Sequence, residues 1–422
     1  MHILVTGATG FIGSHLVPLL LAQGHRVASA GRRPHPDPRV SFIEADFVHD
    51  SEKALWVSRL RGVDAVINTV GIIREAGEQT FQALHIATPC ALFAACAEAG
   101  VQRVVQISAL GADGHAATGY HRSKKVADDF LASLPLTSRI VQPSLVYGPD
   151  GASARLFRAL AAMPLVLRFG QAAQCVQPVH VDDVCAAIVA LLAEPGAGTR
   201  RVALVGPKAL RFLDYLDALR REMGLGRLRV LALPGALASA AARLAVLLPA
   251  SPLTPETLSM LERGNTADSA DMEGLLGRPP RAVETFIVDA RSARIEAQLG
   301  WLLPLLRVSI AAVWLWTAWV SAFVYPVADS YLLLERTGIP AALRPLMLYG
   351  ASAFDLLMGL GSLFLARHWR RWLWLAQLAL IGFYTAVIAW KLPEFLWHPY
   401  GPLSKNLPML AAIWMLYELE KK

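Results

Sequence analysis

Charge is what this chain has least of. Only 17% of its 422 residues are Asp, Glu, Lys or Arg, while 55% are hydrophobic and 11 are Trp. A wholly water-soluble domain does not carry that imbalance, so part of the chain must face something other than water. Cysteine is scarce too. Cys90, Cys96, Cys175 and Cys185 form no Cys-x-x-Cys pair, and His ligands at zinc-finger spacing are missing. That predicts no metal site and reduced thiols, as in a cytosolic compartment. The net charge of +7 is not gathered into a Lys/Arg block interleaved with aromatics, so nucleic acid is not the expected partner. A membrane protein with Lys and Arg on its cytoplasmic side accounts for the sign better. There is no internal repeat and no low-complexity tract. The chain opens straight into an apolar run, so no signal peptide is expected.

That opening run is the most informative stretch. Ile3-Leu4-Val5-Thr6 leads into Gly7-Ala8-Thr9-Gly10-Phe11-Ile12-Gly13, then into Ser14-His15-Leu16-Val17-Pro18-Leu19-Leu20-Leu21. Strand, glycine turn and helix in this order are the context a dinucleotide-binding loop requires. The first glycine permits the tight turn, the second lets backbone approach a pyrophosphate, and the third lets helix pack on strand. The helix N-terminus adds free N–H groups and a partial positive charge. Gln23-Gly24 ends that helix.

Four more strands are predicted in the nucleotide half: Arg26–Ala30, Ser41–Asp46, Ala65–Gly71 and Val104–Ser108. Helices are expected over Ser51–Leu60, from about Thr88-Pro89 to Ala99-Gly100, and from Tyr120 to Leu134. Strands and helices alternating at this spacing give an α/β, doubly wound parallel sheet of Rossmann type. After the second strand, NAD-binding folds place an acid for the ribose 2′-hydroxyl. Here the chain reads Gly31-Arg32-Arg33-Pro34. Two guanidiniums suit a 2′-phosphate, which favours NADP(H) over NAD(H); the alternative is a pair of solvated loop charges. Asp46 is expected near the adenine, and Gly71 where backbone passes the cofactor.

Ser108 closes a strand, and Tyr120-His121-Arg122-Ser123-Lys124 opens a helix. Tyr and Lys at i and i+4 share one helix face. A nearby ammonium lowers a tyrosine pKa, and such a tyrosine can protonate a carbonyl oxygen as hydride arrives. Ser108 can hydrogen-bond the same oxygen. The bland alternative is a Tyr/Lys surface pair. Further on, Asp182-Asp183 reads as a helix N-cap rather than a metal site, and His180 as a core or loop histidine.

Gly7-x-x-Gly10-x-x-Gly13, Asn68-Thr69-Val70-Gly71, Ser108, Tyr120-x-x-x-Lys124 and Gln142–Pro149 together resemble the short-chain dehydrogenase/reductase superfamily. Pro178–Val184 and Leu275–Pro280 resemble an atypical branch, typified by the NADPH-binding accessory subunit of mitochondrial complex I. The resemblance covers roughly residues 1–295. It implies Ser108, Tyr120 and Lys124 as the catalytic set, with Lys124 also on the nicotinamide ribose. It implies cofactor contacts from Gly7, Thr9, Gly10, Phe11, Ile12, Gly13, Arg32, Arg33, Asp46, Val70, Gly71 and Pro143.

At Trp301 the composition changes. Val308–Pro326, Pro345–Ala366 and Trp372–Trp390 are apolar runs near the ~20 residues a bilayer crossing takes. Leu403–Leu419 is a fourth, interrupted by Lys405, Asn406 and Pro408. Arg367, His368, Arg370 and Arg371 lie between spans two and three, and Lys421-Lys422 ends the chain. The positive-inside rule then predicts an inner-membrane, multi-pass protein with its N-terminal domain and C-terminus cytoplasmic. Trp301, Trp369, Trp390 and Trp397 sit near span ends as interface anchors. Asp355 lies inside span two, flanked by Gly350, Gly359 and Gly361, which permit close helix packing. It is either functional or a structural partner of a bundle Lys or Tyr. Leu348–Ala351, Asp355 and His398–Pro408 resemble the DoxX-like family of four-helix membrane proteins, over about 302–420.

The expected organisation is an NAD(P)-binding domain over 1–300, with nucleotide half 1–150 and substrate half 151–300, then an all-α transmembrane four-helix bundle over 302–420. The expected function is a membrane-anchored NADPH-dependent oxidoreductase acting on a carbonyl or quinone-like, lipophilic substrate. Its expected partners are the lipid bilayer, that small molecule and a membrane redox protein. The alternative is an NADPH-binding protein without turnover that docks a membrane partner.

Overall fold

A computed structural model describes residues 1–168, 174–232, 259–260 and 263–420. The runs 169–173, 233–258 and 261–262, within the expected substrate half, and Lys421-Lys422 lie outside these described residues. The chain divides into two compact units, Met1–Gln298 and Leu299–Lys422.

The first unit is built on seven parallel strands: β1 (His2–Thr6), β2 (Arg26–Gly31), β3 (Ser41–Glu44), β4 (Ala65–Asn68), β5 (Arg103–Ile107), β6 (Thr137–Pro143) and β7 (Thr199–Leu204). Their order is β7-β6-β5-β4-β1-β2-β3. The chain runs outward from β1 in both directions, so the carboxyl ends of β1 and β4 form a switch point where open α/β sheets bind ligands. Both faces of the sheet are covered. Ile3 and Val5 pack with Leu16, Leu20 and Ile188 on one side, while Leu4 packs with Trp56, Phe93 and Leu131 on the other. Continuous apolar strands are what burial on two faces demands. The helices that follow the first strands are α1 (Phe11–Ala22), α2 (Lys53–Arg59), α3 (Thr88–Ala99) and α4 (Gly119–Ser133). A π-helical turn, Gln82–Ala87, precedes α3, so the helix starts before Thr88-Pro89 and Pro89 sits within it.

One local expectation is corrected. Asp182-Asp183 is not the N-cap of α5 (Val181–Ala193). His180 is, its Nδ1 accepting from the Asp182 N–H at 3.2 Å. Asp183 is instead fully buried, accepting from the Arg281 N–H at 2.7 Å and from Arg278 Nη2 at 2.5 Å. The stretches Pro178–Val184 and Leu275–Pro280 thus meet in space.

The second unit opens inside α6 (Ala290–Trp319), continued by a π-helical segment to Val324. With α8 (Arg344–Phe364) and α9 (Arg367–Lys391) it makes three helices long and apolar enough to cross a membrane. Between them, the expected loop after Pro326 holds another helix, α7 (Val327–Arg336). The last helix, α10 (Asn406–Leu419), has 14 residues. At ~1.5 Å per residue that is about 21 Å, short of a ~30 Å hydrocarbon core. Arg307 of α6, the first turns of α9 and the end of α10 converge on Glu420, which accepts from Arg307, from Arg370 at 3.4 Å and from Trp374 Nε1 at 3.1 Å. Arg307, Arg370 and Glu420 therefore lie at one end of the bundle. The Arg336–Glu394 pair joins α7 to the segment after α9.

The glycines of α8 are not equivalent. A Cβ on Gly359 would stand 2.7 Å from Leu315 of α6, one on Gly361 3.1 Å from Leu373 of α9, and one on Gly350 would meet open space. Overpacking a fitted interface costs about 1–3 kcal/mol. Gly359→Ala is expected to lower the thermal midpoint of the detergent-solubilised chain, whereas Gly350→Ala leaves it unchanged or slightly raised. Equal midpoints for the two variants would contradict this packing.

Candidate active site

The glycine loop closes against the end of β4. Gly7 has φ +71°, and a Cβ there would stand 2.7 Å from Thr69 Oγ1. Thr69 Oγ1 lies 2.7 Å from the Thr6 carbonyl and 3.0 Å from that of Gly7. The Gly10 N–H donates to Gly7 O at 2.8 Å, and a Cβ on Gly13 would fall 2.2 Å from the same oxygen. Only three residues without side chains bring the start of α1 this close to β1. Gly10 is also the N-cap and offers no side chain as a cap, so the first N–H groups of α1 stay available to an anion.

In front of the loop lies a cleft of about 650 Å³, lined among others by Gly7, Thr9, Ser29, Arg32, Arg33, Asp46, Val70 and Ile72. Its position at the switch point and its glycine floor fit a dinucleotide. Arg32 and Arg33 are exposed at its rim and make no ion pair among the described residues. Asp46 accepts from the Val48 N–H at 3.0 Å and lies 3.0 Å from His49 Nδ1. The Val48 bond, with His49 alongside, holds its carboxyl below the usual range against the opposing effect of burial. Phe11 and Ile12 turn from the cleft to the core, Phe11 packing on Gly148 and Gly151. Pro143 sits at the end of β6, its carbonyl accepting from the Leu110 N–H at 3.0 Å.

The second group of residues gathers beside Gly71. Thr118 caps α4, accepting from the His121 N–H at 3.3 Å. Tyr120, Lys124 and Asp128 then recur every four residues along one helix face. Lys124 Nζ donates to the carbonyls of Ile107 at 3.0 Å and Val70 at 3.3 Å. A Cβ on Gly71 would stand 3.0 Å from that Nζ. The ends of β4 and β5 thus fix the ammonium, and burial lowers its pKa. Ser108, 3% exposed, donates to the carboxylate of Asp128, which is fully buried.

Two expectations change here. The Tyr120 phenol is not drawn toward neutrality: burial, with the Asp128 charge adding, pushes it up to about 12. Its hydroxyl makes no hydrogen bond to Ser108 or Lys124. Two members of the cluster, Asp128 and His85, are not among the expected site residues. Asp128 had a signal, its place four residues beyond Lys124. His85 had none, being a lone histidine in an apolar run.

His85 is pinned by its bonds. Its Nε2 accepts from the Ile72 N–H at 3.0 Å, so that nitrogen carries no proton. Its Nδ1 lies 2.9 Å from Ser123 Oγ, which itself donates to the Tyr120 carbonyl at 2.8 Å, so Nδ1 is the donor. The ring stacks on Phe81 and meets Tyr120 edge-on. Burial, and then the Lys124 charge, push its pKa down to about 2. Its ring resonances are therefore expected to stay those of one neutral tautomer from pH 5 to 8. The unfolded chain takes up that proton near 6.5 and the native site does not, so His85 opposes folding increasingly as pH falls below 6.5. A native-state titration near 6.5 would contradict the pinned ring.

Against known proteins, residues 3–206 match the NAD dependent epimerase/dehydratase family and residues 311–414 the DoxX-like family. A ceramide reductase of Caulobacter vibrioides is 28% identical over 233 residues, 54% of this chain and 73% of the relative. The mitochondrial NADH dehydrogenase (ubiquinone) 1 alpha subcomplex subunit 9 of Arabidopsis thaliana is 28% identical over 219 residues, 48% of this chain. The match spans about half of that relative, 52%. Among solved structures, a nucleoside-diphosphate-sugar epimerase from Staphylococcus aureus superposes with a TM-score of 0.56 at 18% identity, over 68% of this chain and 99% of its own. That is a likeness of fold. Residues 3–206 therefore belong to the NAD dependent epimerase/dehydratase family, as an atypical short-chain dehydrogenase/reductase domain, and residues 311–414 form a DoxX-like domain.

Proposed function

We propose that this protein is a membrane-anchored oxidoreductase that uses NADPH to reduce a carbonyl or quinone-like group on a lipophilic substrate. The observation that carries the reading is Lys124 held against Gly71 at the ends of β4 and β5, with Tyr120 one turn before it on the same face of α4 and Ser108 bonded to Asp128 one turn after it, in a chain that also holds three helices able to cross a membrane. Arg32 and Arg33, exposed at the cleft rim and without an ion pair among the described residues, support a 2′-phosphate and hence NADP(H) over NAD(H). Glycine N–H groups at the start of α1 would hold the pyrophosphate, and Lys124 the nicotinamide ribose. Bound NADPH supplies a hydride. Tyr120, a neutral phenol at physiological pH, carries a proton it can give to a carbonyl oxygen. The similarity to a ceramide reductase supports a long-chain lipid as the source of that carbonyl.

A second reading, nucleotide binding without turnover, draws on two observations. The Tyr120 pKa is raised rather than lowered. The complex I subunit relative supports docking of a membrane redox partner. Calorimetry and turnover on the full chain in detergent separate the two. NADPH is expected to bind more tightly than NADH. Arg32→Ala should weaken NADPH about tenfold, or 1.4 kcal/mol, and leave NADH unchanged. Tyr120→Phe should keep the NADPH affinity and lower long-chain ketone reduction at least a hundredfold. Equal turnover in Tyr120→Phe favours the second reading, and tighter NADH binding overturns the cofactor assignment.

The end of the bundle carrying Arg307, Arg367, Arg370 and Arg371 is the proposed cytoplasmic end, with the N-terminal unit and the C-terminus on that side of an inner membrane. A cysteine at His368 is expected to react with a membrane-impermeant maleimide only from the cytoplasmic side, and one at Tyr400 only from the opposite side. The reverse pattern overturns the orientation.

A further inference from the structure

The Ser108 hydroxyl has one hydrogen, and in this structure that hydrogen is taken. Ser108 Oγ donates to Asp128 Oδ2, and an ionised carboxylate can only accept. A substrate carbonyl oxygen can also only accept. Ser108 cannot serve both at once. We propose that Asp128 is a positioning residue for Ser108: while its carboxylate is ionised, Ser108 has only lone pairs left to offer a substrate, and once the carboxyl is neutral it donates to Ser108 Oγ and frees the serine hydrogen for a substrate oxygen. This rests on Ser108 being the serine of the proposed reductase.

The surroundings make the neutral form reachable. Asp128 is fully buried and its Oδ1 has no hydrogen-bond partner. A buried carboxylate with a bare oxygen is costly, and protonation removes most of that cost. The charged groups that face it are few. On its own helix, Lys124 lies one turn before it, but that ammonium donates to the Ile107 and Val70 carbonyls and forms no ion pair with Asp128. Asp129, the next residue, is held outward by Lys125 and by Arg201 of β7. Tyr120 is a neutral phenol and His85 a neutral ring. Burial raises the Asp128 carboxyl, while the Ser108 bond, Lys124 and Arg201 pull it down.

The proton balance is simple. In carbonyl reduction a hydride from the reduced nicotinamide forms the new C–H bond. The Tyr120 O–H bond breaks and the new alcohol O–H forms. Ser108 and Asp128 lend hydrogen bonds and transfer no proton. Reduction is then fastest with Asp128 neutral and slows as pH rises through its titration.

The first test needs no substrate. Infrared spectra of the full chain in detergent are recorded through a pH titration, and the band of protonated Asp128 is identified by its absence in Asp128→Asn. Ser108→Ala removes a bond from both forms, Ser108 donating to the carboxylate and accepting from the neutral carboxyl; the charge-assisted bond to the carboxylate is the stronger, so the Asp128 midpoint should move up by about one pH unit. An unmoved midpoint overturns the proposal. So does an Asp128 that stays ionised at every pH at which the chain is folded. The second test follows NADPH oxidation with 2-undecanone as the probe. In the wild type kcat should fall above the Asp128 midpoint with KM nearly constant. Asp128→Asn, whose amide donates to Ser108 Oγ permanently, should lose that limb while binding NADPH normally. A limb retained in Asp128→Asn overturns the positioning role. If the infrared shift is found and the probe is turned over by no form of the protein, the reductase reading fails for that substrate class and the Asp128–Ser108 coupling stands.

Discussion

The carbonyl oxygen of Gly7 is the point on which the nucleotide half converges. It accepts from the Gly10 N–H, lies 3.0 Å from the Thr69 hydroxyl and faces the bare Cα of Gly13. A side chain at Gly13 would strike it, and the helix would move off the sheet. The axis of α1 is set by that contact. With it are set the first-turn N–H groups that face the cleft. The contact also ties the loop to Thr69, the residue that follows β4. The two strands of the switch point are thereby held at one depth, and the cleft between them keeps its width.

The same depth of the sheet carries a line of buried polar groups. Thr6 donates to Asn68 Oδ1 at 2.6 Å, and Asn68 Nδ2 to Gln106 Oε1 at 2.7 Å, linking β1, β4 and β5. A satisfied network of this kind fixes register, since a slip by one residue would bury each partner alone. One to two residues beyond Asn68 and Gln106 the network becomes the site. Val70 and Ile107 spend carbonyls on Lys124, and Ser108 bonds to Asp128. The site is therefore an extension of the sheet's own polar bookends, and its rigidity comes from strands. The cost is visible too. Packing an ammonium, a carboxyl, an imidazole and a phenol into one dry corner shifts each of them toward its neutral form.

Which parts were legible in the sequence follows from how local their causes are. The glycine loop was legible because its requirement is covalent: no other residue fits at Gly13. The inner strands were legible because two buried faces demand unbroken runs such as Ile3–Val5. The Tyr120/Lys124 face followed from helix periodicity. The Tyr120 pKa did not, because it depends on how deeply α4 is buried and on where Lys124 spends its hydrogen bonds. Lys124 reaches backbone carbonyls at the ends of two strands remote in sequence, so it never meets the phenol. His180 escaped as a cap because histidine seldom does what Ser, Thr or Asp does there. The preference for Asp at caps pointed to Asp182-Asp183. Asp183 is needed elsewhere, by Arg278 and Arg281 about a hundred residues on. Non-local demand overrode local preference in both places.

The membrane half obeys a different constraint. Three helices there are long enough to satisfy every backbone group while crossing hydrocarbon. The fourth is covered by protein on one face, while its Leu407, Trp414 and Met415 are 70%, 53% and 52% exposed. Ile413 and Leu416 are fully buried in the cluster that holds Trp314 and Trp374. At its end, Glu420 is 8% exposed and receives two guanidiniums and an indole N–H from α6 and α9. A carboxylate so surrounded is compensated in a way an isolated one in a bilayer is not. The buried face and the end of α10 are thus fixed by its neighbours. Asp355 of α8 is the contrast within the same bundle: a buried carboxyl whose Oδ1 has no partner among the described residues, it is a polar group that packing alone does not require.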